Sequence, residues 1–272
     1  MKKIRKLLRR KFGPPARTPL PVIHMHIQKT AGTSFVEMAW GSSYRKYNDQ
    51  FLSHGDFLTI DESQIKKTLF VSGHFGFTFA HRHLKSQFGD RELITFLREP
   101  KSRILSLYKF CQQTKLKNSP LYSIAKEVSL DDFLRLALRE NEARDPLIFA
   151  HLWNHQAYQL YHGFDPADLT SEDTDQARPT LEEISEEDLK NAAIEHLTQM
   201  SFVGFSETFD KDALLLFERL LGGPPPKPLH SNASVPLALS ELPSTTIKLL
   251  DALTFVDRTV YNYALREFRR IP

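Results

Sequence analysis

The sequence predicts an α/β fold in which a parallel β-sheet lies between two layers of helices. Short apolar segments, which are typical of buried strands, occur at residues 22–27, 69–71, 93–97 and 202–205. Apolar residues at helical spacing lie between these segments and after the last of them. This alternation predicts a parallel sheet, because each strand regains the same direction through a helix packed on the face of the sheet.

The helices are predicted from apolar spacing and from the residues that begin them. Phe35, Met38 and Ala39 share one face of a helix predicted at 34–40. Pro100 suits the first turn of a helix that extends to about residue 111, because a first-turn residue needs no N–H donor. Further helices are predicted at 130–139, 146–161, about 185–199, 206–222 and about 245–270.

The composition is that of a globular domain with a sizeable core. The chain has 272 residues, of which 41% are hydrophobic and 25% are charged, and these fractions argue against disorder. The single cysteine, Cys111, excludes an internal disulfide and any zinc site built from several cysteines. We therefore predict one domain at residues 20–272.

The first 19 residues form a basic tail. They contain eight Lys and Arg residues and no acid, so the remaining chain carries −5 although the whole carries +3. This small net charge gives no indication of a nucleic-acid partner. Ile4, Leu7 and Leu8 would share one face of a helix, so residues 1–12 could alternatively contact an anionic membrane surface. Apolar runs are too short for a signal peptide or a transmembrane helix, and we expect a cytoplasmic protein, at most peripheral to the inner membrane.

Residues 165–190 interrupt the α/β pattern. This segment holds ten acidic residues against Arg178 and Lys190, together with two prolines and few large apolar side chains. Such a composition favours solvent over burial. We predict an acidic excursion on the surface of the domain.

The loop after the first strand has the residues of a phosphate cradle. It reads HIQKTAGTS from His26 to Ser34 and joins a strand to a helix. Backbone N–H groups and the dipole at the start of a helix attract anions, and Lys29 adds a full charge. The pattern differs from the nucleotide-triphosphatase loop G-x-x-x-x-G-K-[ST], because here the lysine precedes the glycine. An ordinary turn with an exposed lysine is the alternative. The predicted anion contacts are Lys29, Thr30, Ala31, Gly32, Thr33 and Ser34.

A second motif follows the strand at 93–97 and reads REPKSRILSLY from Arg98 to Tyr108. Arg98 comes at the carboxyl end of that strand, where open parallel sheets bind their ligands. Its guanidinium offers a fork of donors that suits a phosphate. Ser106 follows two helical turns later and could bring its hydroxyl to the same anion.

The two motifs together resemble those of the carbohydrate sulfotransferases. HIQKTAGTSF is similar to the 5′-phosphosulfate loop of that family, usually H-I-P-K-T-G-G-T-S. LREPKSRILSLY is similar to the family's 3′-phosphate motif, R-[DE]-P-x-x-R-x-x-S. The pattern is most similar to the heparan sulfate and uronyl 2-O-sulfotransferase group and its bacterial counterparts. Dense similarity runs over about residues 23–110 and is sparser afterwards.

The resemblance implies a sulfotransferase fold and the donor 3′-phosphoadenosine 5′-phosphosulfate, with no metal required. It implies that Lys29 contacts the phosphosulfate and its bridging oxygen, while Arg98 and Ser106 hold the 3′-phosphate. Gln28 replaces the usual proline and Ala31 a usual glycine. The loop should therefore be less constrained before Lys29 and less free after it.

His74 is the candidate catalytic base. It follows a predicted strand in the glycine-flanked turn VSGHFG, and neutral imidazole suits removal of a proton near neutral pH. A lone histidine is more often structural, but the resemblance implies a base at this position between the two motifs. His24 and His26 alternate onto one face of the first strand, where His26 could brace the loop.

The acceptor side is less well marked in the sequence. His54 precedes the second strand in a loop that could line the acceptor site. Asn154 begins a segment that resembles the family's N-x-Q-T-R pattern, but Tyr158 stands at the arginine position. We predict acceptor contacts from these three residues.

The expected function is sulfuryl transfer from 3′-phosphoadenosine 5′-phosphosulfate to a hydroxyl, with a glycan as the favoured acceptor. His74 would take the hydroxyl proton while Lys29 stabilises the leaving group. A P-loop kinase using ATP is one alternative, which the missing G-K-[ST] disfavours. A nucleotide-binding module without acceptor activity is the other, and Tyr158 keeps it open.

Overall fold

The computed structural model describes residues 20–41, 50–51, 63, 68–85, 89–116, 119–163, 181, 183–222 and 239–269. The predicted basic tail at 1–19 and most of the acidic excursion at about 165–190 lie outside these residues. Both stay predictions, as does the assignment of residues 20–272 to a single domain.

The centre of the fold is a five-stranded sheet in which every pairing is parallel. The strand order is β2-β3-β1-β4-β5. The prediction of an α/β fold with a parallel sheet is therefore confirmed. The strands are β1 (Val22–Met25), β2 (Gln50–Phe51), β3 (Phe70–Gly73), β4 (Glu92–Leu97) and β5 (Phe202–Phe205).

Helices connect and cover the strands. Two of them continue as π-helical segments, at Ala80–Lys85 and Phe217–Leu221. In the part of the chain that the structure describes, none of the helices is long and apolar enough to cross a membrane. The α-helices are α1 (Gly32–Gly41), α2 (Phe77–Phe79), α3 (Pro100–Gln113), α4 (Pro120–Glu127), α5 (Leu130–Arg135), α6 (Pro146–Leu152), α7 (His155–Tyr161), α8 (Glu186–Thr198), α9 (Phe209–Leu216), α10 (Ser244–Leu253) and α11 (Phe255–Phe268).

The two faces of the sheet bury two separate cores. Side chains alternate along a strand, and in β1 Ile23 and Met25 join the larger core with helices α3 and α7. Val22 joins the smaller core, which helices α1 and α9 complete. His24 points to that second face as well, where its ring lies against the rings of Phe35 and Phe70. Helices therefore cover both faces of the sheet, as the sequence predicted.

The helix predicted at 146–161 is divided in two. It ends at Leu152 and begins again at His155. Asn154 between them has φ 40° and ψ 41°, which is the left-handed region and is incompatible with a continuing α-helix. Apolar spacing did not reveal this break, because both halves bury the same side of the pattern.

The helix predicted at about 245–270 is also divided. Ser244–Leu253 and Phe255–Phe268 meet at Thr254, whose φ of −124° departs from helical geometry. The Thr254 hydroxyl donates to the carbonyl of Leu250 and closes the first helix locally. The divided C-terminal helices pack against the sheet edge and the 146–161 region, where the functional residues converge.

The strand order fixes where a ligand can bind. From the central strand β1, the chain adds β2 and β3 on one side and then crosses to the other side for β4 and β5. In open α/β sheets, ligands bind beyond the carboxyl ends of the strands where the direction of winding reverses. Here that position lies beyond β1 and β4, with β3 as the other neighbour of β1.

Candidate active site

The loop after β1 has an unusual backbone that suits an anion. Lys29 and Ala31 adopt the left-handed region, with φ of 67° and 72°, while Thr30 between them does not. Alternation of this kind turns successive N–H groups toward one concave side, which forms an anion-binding nest. The Thr30 hydroxyl donates to the carbonyl of Ile27 at 2.8 Å and is fully buried, so it holds the loop in shape. Helix α1 then begins at Gly32 and adds its positive N-terminal end.

The ring of His26 lies directly against Gly32. A Cβ at position 32 would be 2.0 Å from His26 Cδ2 and 2.3 Å from Nε2, far inside any normal contact. The prediction that His26 braces the loop agrees with this packing. Gly32 has an ordinary φ, so its requirement for glycine is steric.

Lys29 reaches across the cleft to helix α3. Its ammonium nitrogen lies 4.2 Å from the centre of the Phe110 ring, which is a cation–π contact. Burial, and then the positive charge of Arg98, lower the pKa of Lys29 below 10.5. Lys29 therefore shares its surroundings with a second cation.

Arg98 is that second cation, and it contacts the phosphate loop. Its Nη1 donates to the carbonyl of Lys29 at 3.2 Å, so the two predicted anion motifs meet at the reversal of the sheet. Burial lowers the pKa of Arg98, while the nearby carboxylates of Glu207 and Glu99 raise it. A guanidinium remains charged after such a shift, because its usual pKa lies above 12.

The main chain of Arg98 is clamped by a side chain from helix α7. The N–H of Arg98 donates to Oε1 of Gln156, and Nε2 of Gln156 donates to the carbonyl of Arg98, both at 2.9 Å. Gln156 is only 2% exposed. One buried amide therefore satisfies both backbone groups at the point where β4 ends.

Glu99 and Glu207 fix the next residue of the motif. The Glu99 carboxylate accepts from the N–H groups of Lys101 and Ser102 and so caps helix α3. The N–H of Glu99 donates to Glu207 at 2.8 Å, and Glu207 also accepts from the hydroxyl of Tyr261 at 2.9 Å. The backbone at Arg98 and Glu99 is thus held by both α7 and the segment after β5.

A buried carboxylate supports the clamp from helix α11. Asp257 is 1% exposed and accepts from the N–H groups of Gln156 and Ala157. Burial raises the pKa of Asp257 to about 6, against the opposing charge of Arg103. Burial in turn lowers the pKa of Arg103 to about 10, and its Nη2 donates to the carbonyl of His151 at 2.7 Å. Arg103 is fully buried, so we interpret it as structural.

His74 lies at the carboxyl end of β3, on the other side of β1. Its Nδ1 is 2.8 Å from the carbonyl oxygen of His26. A carbonyl only accepts, so Nδ1 carries the proton and Nε2 of the neutral ring carries the lone pair. Burial and the charge of Lys29 lower the pKa of His74 below 6.5, although the hydrogen bond to His26 opposes the shift. The ring is therefore neutral at pH 7.

The structure brings Lys29, Arg98 and His74 to one edge of three adjacent strands. Thr33 is exposed and Ser34 half-buried in the first turn of α1. Ser106 is 9% exposed in the second turn of α3. Their contacts with an anion stay predictions.

The acceptor-side predictions have different outcomes. Asn154 is fully buried, and its Oδ1 accepts from the N–H groups of Val256 and Asp257 at the start of α11. The prediction that Asn154 contacts an acceptor is therefore wrong, because its side chain caps a helix out of reach of solvent. Tyr158 packs in the larger core at 7% exposure, so at most its hydroxyl could meet an acceptor. His54 lies outside the described residues.

Sequence reasoning missed three polar residues that hold the site. Gln156 stands at the glutamine of the N-x-Q-T-R pattern, and an amide in a buried segment indicates a partner, but the sequence does not identify that partner. Asp257 lies next to Val256 in an apolar stripe of the sequence. A carboxylate in such a stripe indicates that buried hydrogen-bond donors are needed to satisfy it. Glu207 gives no comparable signal. Among the described residues, no group of three or more His, Cys, Asp or Glu side chains could hold a metal ion.

Comparison with known proteins agrees with this geometry. A model of the sulfotransferase family matches residues 19–264, which is most of the chain. No curated protein matches the chain. The protein therefore belongs to the sulfotransferase family and is a transferase, while the narrower similarity to the 2-O-sulfotransferase group stays a prediction.

Proposed function

We propose that this sulfotransferase moves a sulfuryl group from 3′-phosphoadenosine 5′-phosphosulfate to a hydroxyl of a carbohydrate. The observation that carries the proposal is the meeting of Lys29 and Arg98 at the sheet reversal, with His74 across β1. Two cations and a neutral base at one edge suit an anionic donor and a neutral nucleophile.

The donor side fits a polyanion with phosphates at both ends of a nucleoside. The nest at Lys29–Ala31 and the N-terminus of α1 offer N–H donors to one group. Arg98 offers a planar fork to the other, and Ser106 adds a hydroxyl from helix α3, which begins two residues after Arg98. Lys29 and Arg98 also favour an anion because their positive charges repel each other, and negative charge bound beside them offsets that repulsion.

Lys29 is the group that stabilises the leaving oxygen. The reaction breaks the bond between sulfur and the oxygen that bridges it to phosphorus, and negative charge develops on that oxygen. An ammonium held in a partly buried loop stabilises such charge more than it would in water. The contact with the Phe110 ring holds the Lys29 ammonium against helix α3.

His74 is the group that takes the proton. The acceptor oxygen forms the new bond to sulfur as the bond from sulfur to the bridging oxygen breaks, and adenosine 3′,5′-bisphosphate leaves with that electron pair. The proton of the acceptor hydroxyl passes to Nε2 of His74. Because Nδ1 is protonated and bound to the carbonyl of His26, Nε2 is the nitrogen that carries the lone pair. The low pKa of His74 keeps the base unprotonated at neutral pH. No step requires a metal in principle, because positioning and charge supply the catalysis.

The carbohydrate acceptor is inferred from the resemblance of the two motifs. Contacts from His54 and from the Tyr158 hydroxyl are part of the proposal, and Asn154 is not. A cytoplasmic location and a weak contact of residues 1–12 with anionic membranes are further proposals from the sequence. Cell fractionation tests the first. Co-sedimentation with phosphatidylserine vesicles, with and without residues 1–19, tests the second, and equal binding by both forms would overturn it.

Two measurements test the function. Calorimetry should show binding of adenosine 3′,5′-bisphosphate and much weaker binding of ATP, and the reverse preference would favour the P-loop kinase. Labelled sulfate should pass from the donor to at least one member of a panel of glycans. Donor binding without transfer to any hydroxyl compound would favour the binding module.

A pair of histidine variants assigns the base. His74→Ala should lower kcat by roughly 100- to 10,000-fold and leave bisphosphate affinity within about threefold. His196→Ala is the matched control, because His196 also places Nδ1 on a backbone carbonyl, that of Leu160, and belongs to helix α8 rather than to either anion motif. If both variants keep full activity, His74 is not the base.

A further inference from the structure

We propose that His26 is a positioning residue whose side chain couples the donor loop, residues 26–34, to the proposed base His74. It fills the space that a side chain at position 32 would need, and its ring is the packing surface for the ring of His74. This inference rests on the proposed role of His74.

The packing of three imidazole rings carries the first part of the argument. The ring centres of His26 and His74 are 4.2 Å apart, and those of His24 and His26 are 5.4 Å apart. His26 is 5% exposed, and its Nδ1 has no hydrogen-bond partner. The His26 ring therefore contributes shape at this place, because one of its two polar atoms is buried unpaired.

The steric position of Gly32 carries the second part. A methyl group there would lie 2.0 Å from His26 Cδ2, so the ring or the loop would have to shift by more than 1 Å. The rings of His74 and His24 also lie against the His26 ring, which limits its room to move aside. A change in the donor loop is thus transmitted to the base through one ring. Position 32 requires glycine because of His26, in addition to any approach of the nucleotide.

The backbone and the side chain of His26 act on His74 together. The carbonyl of His26 accepts the Nδ1 proton and fixes the tautomer, while the ring excludes water from one face of His74. Among the described residues, the charged and titratable groups that act on His74 include Lys29, His24, His26 and His155. Removal of the His26 ring should admit water and move the His74 titration upward toward 6.5.

A double-mutant cycle tests the steric coupling. Gly32→Ala should lower kcat about 100-fold when His26 is present, since a misplacement near 1 Å has an effect of this size. It should lower kcat less than about threefold in the His26→Ala background, where the new methyl group has room. Equal losses in both backgrounds would overturn the proposal and assign Gly32 to the nucleotide alone.

A second glycine supplies the control for the cycle. Gly204 on β5 faces a comparable clash, 2.4 Å from Cε1 of Phe96. Gly204→Ala should change kcat and the melting temperature by the same amounts with and without His26→Ala, because its methyl group would meet the rings of Phe96 and Phe202 and not that of His26. Coupling at Gly204 of the same size as at Gly32 would show a general loosening and overturn the proposal.

Titration of His74 tests the inference without the reaction. In ¹⁵N-histidine NMR spectra, His26→Ala should raise the His74 titration midpoint by about half a pH unit or more, with Nδ1 still protonated. His26→Leu, close to histidine in volume, should keep the native midpoint and a kcat within about threefold. An unshifted midpoint in His26→Ala would overturn the inference even if Gly32→Ala fails to fold. Absence of sulfuryl transfer by the native chain would instead overturn the proposed function.

Discussion

The amide of Gln156 provides a sharp perturbation of the donor site. It donates to the carbonyl of Arg98 and accepts from the N–H of Arg98, both at 2.9 Å, without touching the guanidinium. Gln156→Glu keeps this shape but replaces the donating nitrogen by an oxygen. A protonated carboxyl can still donate one proton and accept another, whereas a carboxylate can only accept.

The magnitude follows from the bonds that change. In the carboxylate form, the buried carbonyl of Arg98 loses its donor, at a cost of about 1–3 kcal/mol. Burial also raises the pKa of the new carboxyl, which is placed where Gln156 is 2% exposed. We expect the variant to be about 2–4 kcal/mol less stable than the native chain at pH 8.5, and within about 1 kcal/mol of it at pH 6.

The assay is calorimetry with adenosine 3′,5′-bisphosphate at both pH values. Affinity of Gln156→Glu relative to the native chain should fall about tenfold or more between pH 6 and 8.5, because a shifted Arg98 loses part of its charged pairing. Gln156→Met, which can make neither bond, should bind weakly at both pH values.

The control is Gln112→Glu, since Gln112 is exposed on the same helix as the motif and its amide donates to the hydroxyl of Tyr108. An affinity ratio for Gln156→Glu that does not change with pH would refute the clamp.

The buried histidines and the loop conformation give three further expectations. Between about pH 6 and 4, the free energy of unfolding should fall by roughly 3 kcal/mol for each pH unit of acidification. The three residues His24, His26 and His155 take up protons only on unfolding, whereas Asp257, with a pKa of about 6, releases one. Urea titrations in which the free energy of unfolding does not change with pH would contradict this. Ala31→Gly should raise the free energy of unfolding by up to about 1 kcal/mol without weakening bisphosphate binding, because φ is 72°, and a loss measured by urea unfolding would count against loop strain. The negative charge of a bound donor should offset the effect of Lys29 and raise the pKa of His74. The acid limb of the pH profile should therefore lie at higher pH for kcat than for kcat/KM of the donor. Acid limbs at the same pH would exclude that coupling.

The sequence was sufficient for the parts of the site that are local in the chain. The motifs containing Lys29 and Arg98 each follow an apolar strand, and parallel strands end at a common edge, so their meeting was predictable. His74 was placed by the same reasoning. What these residues share is that a strand end and a short loop position each of them.

The supports of the site could not be predicted in this way. Gln156 and Asp257 are about a hundred residues apart in sequence and meet only because two helices break, at Asn154 and Thr254. Apolar periodicity continues through both breaks, since the halves bury the same face. The left-handed backbone of Asn154 depends on its cap to α11, which is a tertiary interaction.

In the proposed reaction, the site must attract a polyanion and still keep His74 unprotonated, and the same charges serve both needs. The positive charge that favours a donor at Lys29 also lowers the pKa of His74, as does burial. A carboxylate on Nδ1 would have the opposite effect, because it raises the pKa of an imidazole and would compete for the cations. The carbonyl of His26 orients the ring and selects its tautomer without adding a charge. This electropositive site therefore favours an uncharged hydrogen-bond acceptor, the carbonyl of His26, on Nδ1 of His74.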